Sequence, residues 1–391
     1  MFSAENVLSA LTRQSLRREL RIIDQTEGTR IQIGNRTLVN FASNDYLGLS
    51  QHPALREAAK QAIDRFGVGT GASRLITGST ALHARLEEQL SLLKTTEAAL
   101  AFSSGYAAAL GTIPSVVTSG DVIILDKLSH ACLIDAAKLS GATIRVYPHN
   151  DLTKLREHLA WAKQKFPERT ILIVTESLFS MDGDLGALSA IVDLKHRFGA
   201  MLLVDEAHAT GIFGKQGEGL IHQLSLSDRV EIQMGTLSKA IGVSGGFICG
   251  SRSLIDLLIN RARSFIYSTA PPPAVAATAS AAVDLIQSPE GDRLRERLWK
   301  NIRYLWQVLP GPHRMVEEPS SPIVPVIVGA ESKAVAMAAA ILESGYLAPA
   351  IRYPTVKRGS ARLRVTLSSA HSEEQIEGLA KAIDRESPVH T

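Results

Sequence analysis

The sequence predicts an α/β fold: a mainly parallel sheet with helices on both faces, followed by a smaller α+β domain. Three observations carry that prediction. Short runs dense in valine, isoleucine and leucine, such as Val122–Asp126 and Ile171–Glu176, lack polar alternation, as strands buried on both faces do. Stretches with helical spacing separate these runs, which is the connection a parallel sheet requires. After Pro271-Pro272-Pro273 the pattern changes to long helices with few strands. At 391 residues the chain exceeds what one small core serves, which fits a large domain beside a small one.

Taken in order, residues 1 to about 24 read as a helix, with Val7, Leu8, Leu11 and Leu16 on one face and a basic cluster at Arg17, Arg18 and Arg21. Residues 30–41 alternate as a hairpin around Gly34-Asn35. Ser43-Asn44-Asp45-Tyr46-Leu47-Gly48-Leu49 is a polar turn without a core pattern. A helix over 53–66 precedes the glycine-rich, basic stretch Gly67 to Arg74. No strand comes directly before that stretch, so it is not a dinucleotide fingerprint. A helix over 81–94 leads to the strand Ala98–Phe102, and Ser103-Ser104-Gly105-Tyr106 opens an alanine-rich helix. Strands follow at 122–126, 142–146, 171–176 and 201–206. A short apolar lead (Val230, Ile232, Met234) then ends at Gly235-Thr236-Leu237-Ser238-Lys239-Ala240, which runs into a glycine-rich turn over 242–247. Helices to about 287, over 290–308, 332–344 and 372–384, and strands over 323–328 and 362–367, complete the chain. The expected organisation is an N-terminal helix and hairpin segment over 1–45, a large domain over 46–289 and a small α+β domain over 290–391. No internal repeat or low-complexity segment interrupts it.

Composition excludes several classes. Apolar residues make up 45% and charged residues 21%, the proportions of a soluble globular protein. A net charge of +3, with no dense Lys/Arg patch, is too small for a nucleic-acid partner. Two cysteines make neither a disulfide framework nor a metal site, and fit a reducing compartment. The N-terminus is charged from the start, and no apolar run nears the roughly 20 residues that span a bilayer. The expectation is a cytoplasmic protein without a membrane, nucleic-acid or metal partner.

Lys239 stands apart from an ordinary surface lysine. It is the only charged residue between Glu231 and Arg252, hydroxyls flank it at Thr236 and Ser238, and its apolar and glycine neighbours point to burial. An amine in an apolar setting has a lowered pKa and can condense with a carbonyl cofactor. Such a cofactor, if it carries a pyridine nitrogen and a phosphate, also needs a carboxylate at that nitrogen, donors for the phosphate and a flat group over the ring. Asp205, at a strand end, is the carboxylate candidate, or equally a helix cap. His208, three residues on, is a candidate donor to a phenolic oxygen, or a capping histidine. Ser104, Gly105 and Tyr106 present helix-start N–H groups suited to phosphate, or a plain N-cap. His130 offers a flat imidazole, or a structural one. Ligands of open α/β sheets bind at the carboxyl ends of the strands, so Asp126, Glu176 and Asp205 are expected to face one crevice. Val204-Asp205-Glu206-Ala207-His208 also spells the acidic box of DEAH-type NTPases, but no G-x-x-x-x-G-K-[ST] loop accompanies it.

Six motifs occur in one order: Ser43 to Leu49, Gly69-Thr70-Gly71-Ala72-Ser73-Arg74, Asp126-Lys127-Leu128-Ser129-His130, Ser180-Met181-Asp182-Gly183-Asp184, Val204 to His208 and Thr236-Leu237-Ser238-Lys239. Together they resemble the α-oxoamine synthases, pyridoxal-phosphate enzymes of the aspartate-aminotransferase fold (fold type I), over about residues 16–380. The resemblance implies that Lys239 holds pyridoxal 5'-phosphate as a Schiff base, Asp205 pairs with its ring nitrogen, His208 reaches its phenolic oxygen and His130 stacks on its ring. It implies cofactor contacts from Gly105, Tyr106, Ser180 and Thr236. Ser268 and Thr269 would reach the phosphate of a neighbouring subunit, so a homodimer with shared active sites is expected. Arg364 would hold an amino-acid carboxylate. Arg18 and Thr355 would contact the acyl substrate, with Arg17 as the alternative to Arg18. Glu176 and Asn44 would line the site. Within the family, Ile351 to Val356 and Ala361-Arg362-Leu363-Arg364 resemble the branch that condenses L-alanine with a pimeloyl thioester, carried on acyl carrier protein or coenzyme A, with loss of carbon dioxide. Tyr353 stands where that branch mostly has proline. Glycine or serine with acetyl, palmitoyl or succinyl donors are the alternatives within the family.

Overall fold

A computed structural model describes residues 2–14, 16–309 and 319–386. Residues 310–318 and 387–391 of the expected C-terminal domain, and Met1 and Ser15 of the expected N-terminal helix, lie outside the described residues. The chain forms two compact units, Leu49–Ser180 with Asp184–Arg295, and Met1–Gly48 with Met181–Gly183 and Glu296–Thr391.

The larger unit is built on a seven-stranded sheet. Its strands are β1 (Ala98–Phe102), β2 (Val122–Asp126), β3 (Thr143–Tyr147), β4 (Ile171–Glu176), β5 (Met201–Asp205), β6 (Ile232–Thr236) and β7 (Gly246–Gly250). Their spatial order is β1-β7-β6-β5-β4-β2-β3, parallel except for β7, which runs antiparallel to both neighbours. Every residue of β1, β2, β4, β6 and β7 is buried, which accounts for the unbroken apolar runs. The helices Gly105–Val116 and Ala131–Ser140 cover one face, where Ala108, Ile113 and Leu133 pack on Phe102, Leu125, Val174 and Ile248. Each fully buried side chain of this size contributes roughly 1.5–3 kcal/mol of transfer free energy.

β7 departs from the sequence reading, which placed 242–247 in a turn. Only Phe247, Ile248 and Cys249 supply apolar character, between glycines at 245, 246 and 250, too short a signal for a strand. Its consequence is local: Thr236 pairs with Gly246, so Lys239 sits on the loop of an antiparallel hairpin.

In the smaller unit the three-stranded order is Ile323–Gly329, Ala361–Thr366, Ala350–Ile351, all antiparallel. The hairpin Arg30–Ile33 with Arg36–Asn40 groups with these C-terminal residues, because Tyr346 pairs in parallel with Val39 and Phe41 N donates to Leu347 O at 2.9 Å. The N-terminal helix spans only Ala4–Arg13, not 1–24. None of its residues is buried, and the N–H groups of Leu16 and Arg17 both fold back on Leu11 O, so no packing extends the helix. No helix among the described residues is long and apolar enough to cross a membrane.

Candidate active site

The hairpin loop Leu237 to Gly245 is fastened from inside. Leu237 N donates to Gly245 O at 3.0 Å, Val243 N to Leu237 O at 2.8 Å and Gly242 N to Lys239 O at 2.8 Å. Thr236 Oγ1 donates to Gly245 O at 2.8 Å. Gly242 has φ +76°, and a Cβ there would lie 2.7 Å from Ser50 N, so only glycine fits the turn. Leu237, Ala240 and Ile241 are buried, but Lys239 itself is half-buried. That corrects the expectation of burial: the flanks anchor the loop while the amine stays reachable. Lys239 Nζ lies 2.7 Å from His208 Nε2.

His208 follows β5 in a turn closed by Ala207 N donating to Asp205 Oδ1 at 2.8 Å. Asp205 and Glu176 are direct partners on adjacent parallel strands, 5% and 3% exposed. Two carboxyls so placed cannot both ionise easily. Burial raises the Asp205 pKa, while the Lys239 charge and the Ala207 N–H oppose the rise. Burial and then the Asp205 charge push Glu176 well above the usual carboxylate range.

Glu176 Oε1 accepts from His130 N at 2.5 Å, which orients the turn carrying His130. The His130 ring is exposed on its open side, and its Nδ1 accepts from Cys132 N at 3.3 Å. Burial of its surroundings lowers its pKa, Asp205 opposing and Lys239 adding to the effect. A neutral, flat imidazole results. Asp126 departs from the expected crevice. Its carboxylate instead accepts from Leu128 N at 2.8 Å and Asn150 N at 3.1 Å and faces the His149 ring.

Ser104 caps the helix Gly105–Val116, its Oγ accepting from Ala107 N at 3.0 Å. A Cβ at Gly246 would lie 2.4 Å from Gly105 N, so the close approach of helix start to strand requires glycine. Thr236 Oγ1 lies 3.7 Å from where a Gly105 Cβ would stand, and 2.7 Å from Ser238 Oγ. Hydroxyls and helix-start N–H groups thus converge. The Tyr106 hydroxyl donates to Asp135, leaving its backbone N–H as the group it offers. Ser180 follows Phe179 on the loop after β4. Ser268 is half-buried and Thr269 exposed; this segment is held by the Ser73–Thr269 bridge and by Ala270 N to Ala72 O at 2.9 Å.

The smaller unit gathers the rest. Arg364, buried, donates through Nη1 to Asn44 Oδ1 and Thr366 Oγ1, both at 3.1 Å. Arg18 Nη2 lies 3.5 Å from Thr355 Oγ1. Arg17 offers its carbonyl to Arg352 and its guanidinium to Glu19, so Arg18 is the one that meets Thr355. Tyr353 precedes Pro354 through a cis peptide bond.

The donor set of the larger unit fits a flat, phosphorylated aldehyde with a ring nitrogen: one reachable amine, one buried carboxyl, an imidazole with a lowered pKa, and a helix N-terminus brought close by Gly246. Sequence reasoning missed the Lys94–Glu206 pair beneath this site and the His149 contacts beside it. Glu206 and Asp184 stood inside motifs already singled out, but nothing marked their partners.

Comparison with known proteins agrees with this geometry. The family described as aminotransferase class I and II matches residues 36–383. The 8-amino-7-oxononanoate synthase of Geobacter sulfurreducens is 45% identical over 378 residues, covering 97% of this chain and 96% of that protein. The enzyme of the same name from Maricaulis maris is 45% identical over 380 residues, covering 97% and 94%. Serine palmitoyltransferase from S. paucimobilis, solved with a PLP–myriocin aldimine, superposes with a TM-score of 0.91 at 29% identity, covering 98% of this chain and 96% of that one. With the amine, the paired acids and the ordered motifs all in place, the chain belongs to the aminotransferase class I and II family, within its α-oxoamine synthases.

Proposed function

We propose that this protein is an 8-amino-7-oxononanoate synthase. It joins L-alanine to a pimeloyl thioester, releases carbon dioxide and the thiol carrier, and so serves biotin assembly in the cytoplasm. The observation that carries this reading is the 45% identity, over nearly the whole of both chains, to a relative of that name. The cofactor is pyridoxal 5'-phosphate; when bound, it supplies an aldehyde for the amine and a protonated ring that stabilises negative charge at the amino-acid α-carbon.

The chain's own residues do the rest. Lys239 would hold the aldehyde through Nζ, and its free amine would take the proton from the α-carbon of the amino acid. Serving several proton transfers needs an amine poised close to neutral pH. Asp205 would pair with the ring nitrogen and hold its proton. His208 would reach the phenolic oxygen, and His130 would cover the ring. Gly105 and Tyr106 N–H groups and the Thr236 hydroxyl take the phosphate, and Ser180 adds a further contact. Arg364, presented beside Asn44, takes the alanine carboxylate. Arg18 and Thr355 meet the acyl donor. We assign the exposed face around Val68, Leu75, Ile76 and Tyr267 to a second copy, which would bring Ser268 and Thr269 to the neighbour's phosphate; an apolar face of this kind marks an interface.

One assay tests the reading: release of carbon dioxide from alanine, glycine or serine, with pimeloyl, acetyl, palmitoyl or succinyl thioesters on coenzyme A or acyl carrier protein. Alanine with pimeloyl should exceed every other pair, and Lys239→Ala should lose roughly a thousandfold or more of that rate. A preference for serine with palmitoyl would move the protein to another branch of the family.

A further inference from the structure

Asp126, His149 and Asp184 form a line of polar groups that the proposed chemistry does not use. His149 Nδ1 lies 3.0 and 3.2 Å from the two oxygens of Asp126, and Nε2 lies 2.6 Å from Asp184 Oδ2. Both ring nitrogens face carboxylates, the arrangement of an imidazolium donating twice. Burial works against that charge, but the bonds and fields of Asp126 and Asp184 more than offset it and push the His149 pKa up to about 10. The Phe179 ring packs edge-on at 4.3 Å.

The two carboxylates belong to different pieces of the site. Asp126 ends β2, and by accepting from Leu128 N it shapes the turn that presents His130. Asp184 lies on the loop that leaves β4 after Glu176 and carries Ser180. Phe179 N to Asp184 O and Gly186 N to Ser177 O, both 3.0 Å, close that loop on itself. Asn150, with φ +55°, repeats the tie. Its N donates to Asp126 Oδ2 at 3.1 Å, its Nδ2 to Leu185 O at 3.0 Å, and its Oδ1 accepts from Ala187 N at 3.1 Å.

We propose that His149 is a positioning residue: its ring, bonded on both sides, locks the turn presenting His130 to the loop presenting Ser180. The functional half of this inference rests on the reading of those two residues as cofactor contacts. A neutral ring could donate to only one carboxylate, and an uncharged amide in its place would lose the positive charge that pairs with both.

The test uses the full chain and two variants, His149→Gln and Asp184→Asn, read by amide hydrogen exchange and by absorbance titration with pyridoxal phosphate. His149→Gln should raise exchange about tenfold or more in both 127–131 and 177–187 and weaken cofactor binding about tenfold. Asp184→Asn should raise exchange in 127–131, a turn that the Asp184 side chain reaches through His149. The milder variant keeps the test open where His149→Gln fails to fold. Exchange that rises in one segment alone, or cofactor affinity within twofold of wild type in a folded variant, overturns the proposal. Wild-type protein that binds no pyridoxal phosphate would instead sink the functional reading, while the exchange coupling still reports on the lock.

Discussion

Asp205 and Glu176 illustrate what position does to two chemically similar acids. They end neighbouring strands as register partners, and both lie under protein. Burial raises both pKa values, and the Asp205 charge adds to the rise at Glu176; at each acid the Lys239 ammonium and one backbone N–H, from Ala207 at Asp205 and from His130 at Glu176, oppose it. A carboxylate at Asp205 is what a ring nitrogen needs to stay protonated. Asp205→Asn should therefore fold yet exchange the α-proton of alanine for deuterium roughly a hundredfold more slowly, followed by proton NMR in heavy water. Near-normal exchange would assign ring protonation to another group. His371 shows the opposite case, a histidine kept neutral. Its ring stacks on Phe41 at 4.1 Å, Nδ1 accepts from Ser368 N at 2.9 Å, and burial lowers its pKa to about 4. The unfolded chain protonates this histidine near its ordinary value of 6.5, so between there and about pH 4 the unfolded state binds more protons. The stability tied to this group is whole above pH 6.5 and is lost as pH falls to about 4, on the order of 3 kcal/mol. Urea midpoints taken across that window should fall more steeply for wild type than for His371→Gln; parallel curves would contradict the assignment.

At the scale of elements, the turn that follows β5 needs an anchor because it carries both Asp205 and His208. Lys94, wholly buried, supplies it. Its Nζ donates to Glu206 Oε2 at 2.6 Å, Glu218 O at 2.5 Å and Thr210 Oγ1 at 3.0 Å. Glu206 Oε1 accepts from Ile221 N at 2.9 Å. Gly219, with φ +117°, lets this ring close, since a Cβ there would stand 2.2 Å from Glu206 Oε2. Breaking one side of such a pair strands a charge in a dry interior. Lys94→Met should lower unfolding free energy by about 3–5 kcal/mol in urea titrations. A loss under about 1 kcal/mol would mean that Glu206 takes up a proton and stays satisfied. The hairpin that carries Lys239 follows similar logic, with internal hydrogen bonds and Gly242 holding a loop whose central amine remains accessible.

For the whole molecule, the proposed dimer would join assembly to activity, because Ser268 and Thr269 directly follow the exposed Tyr267. Sedimentation of the wild type should report about twice the chain mass. Ile76→Asp should shift the mass toward one chain and reduce turnover together. An active single chain would remove the shared site. Much of this architecture was legible beforehand. The buried parallel strands announced themselves by unbroken β-branched runs; Lys239 and Asp205 were singled out by their place at or just past strand ends, and the roles expected of His208 and His130 came from the ordered motifs. β7 was not legible, because three apolar residues between glycines resemble a turn until partners on both sides claim their backbone groups. The helix expected over 1–24 was over-read, because apolar spacing says which face could be buried and not whether anything covers it.

The sequence by itself determined most strands and helices of the large sheet, the hairpin near the N-terminus and the candidate residues for the cofactor site. Each of these follows from local periodicity or from ordered motifs. Only the tertiary structure decided that Asp205 and Glu176 are buried side by side, that Asp126 turns toward His149, and that Lys94 pairs with Glu206. Those outcomes depend on burial and on distances between groups far apart in the chain, and such fields exist only once the strands are side by side.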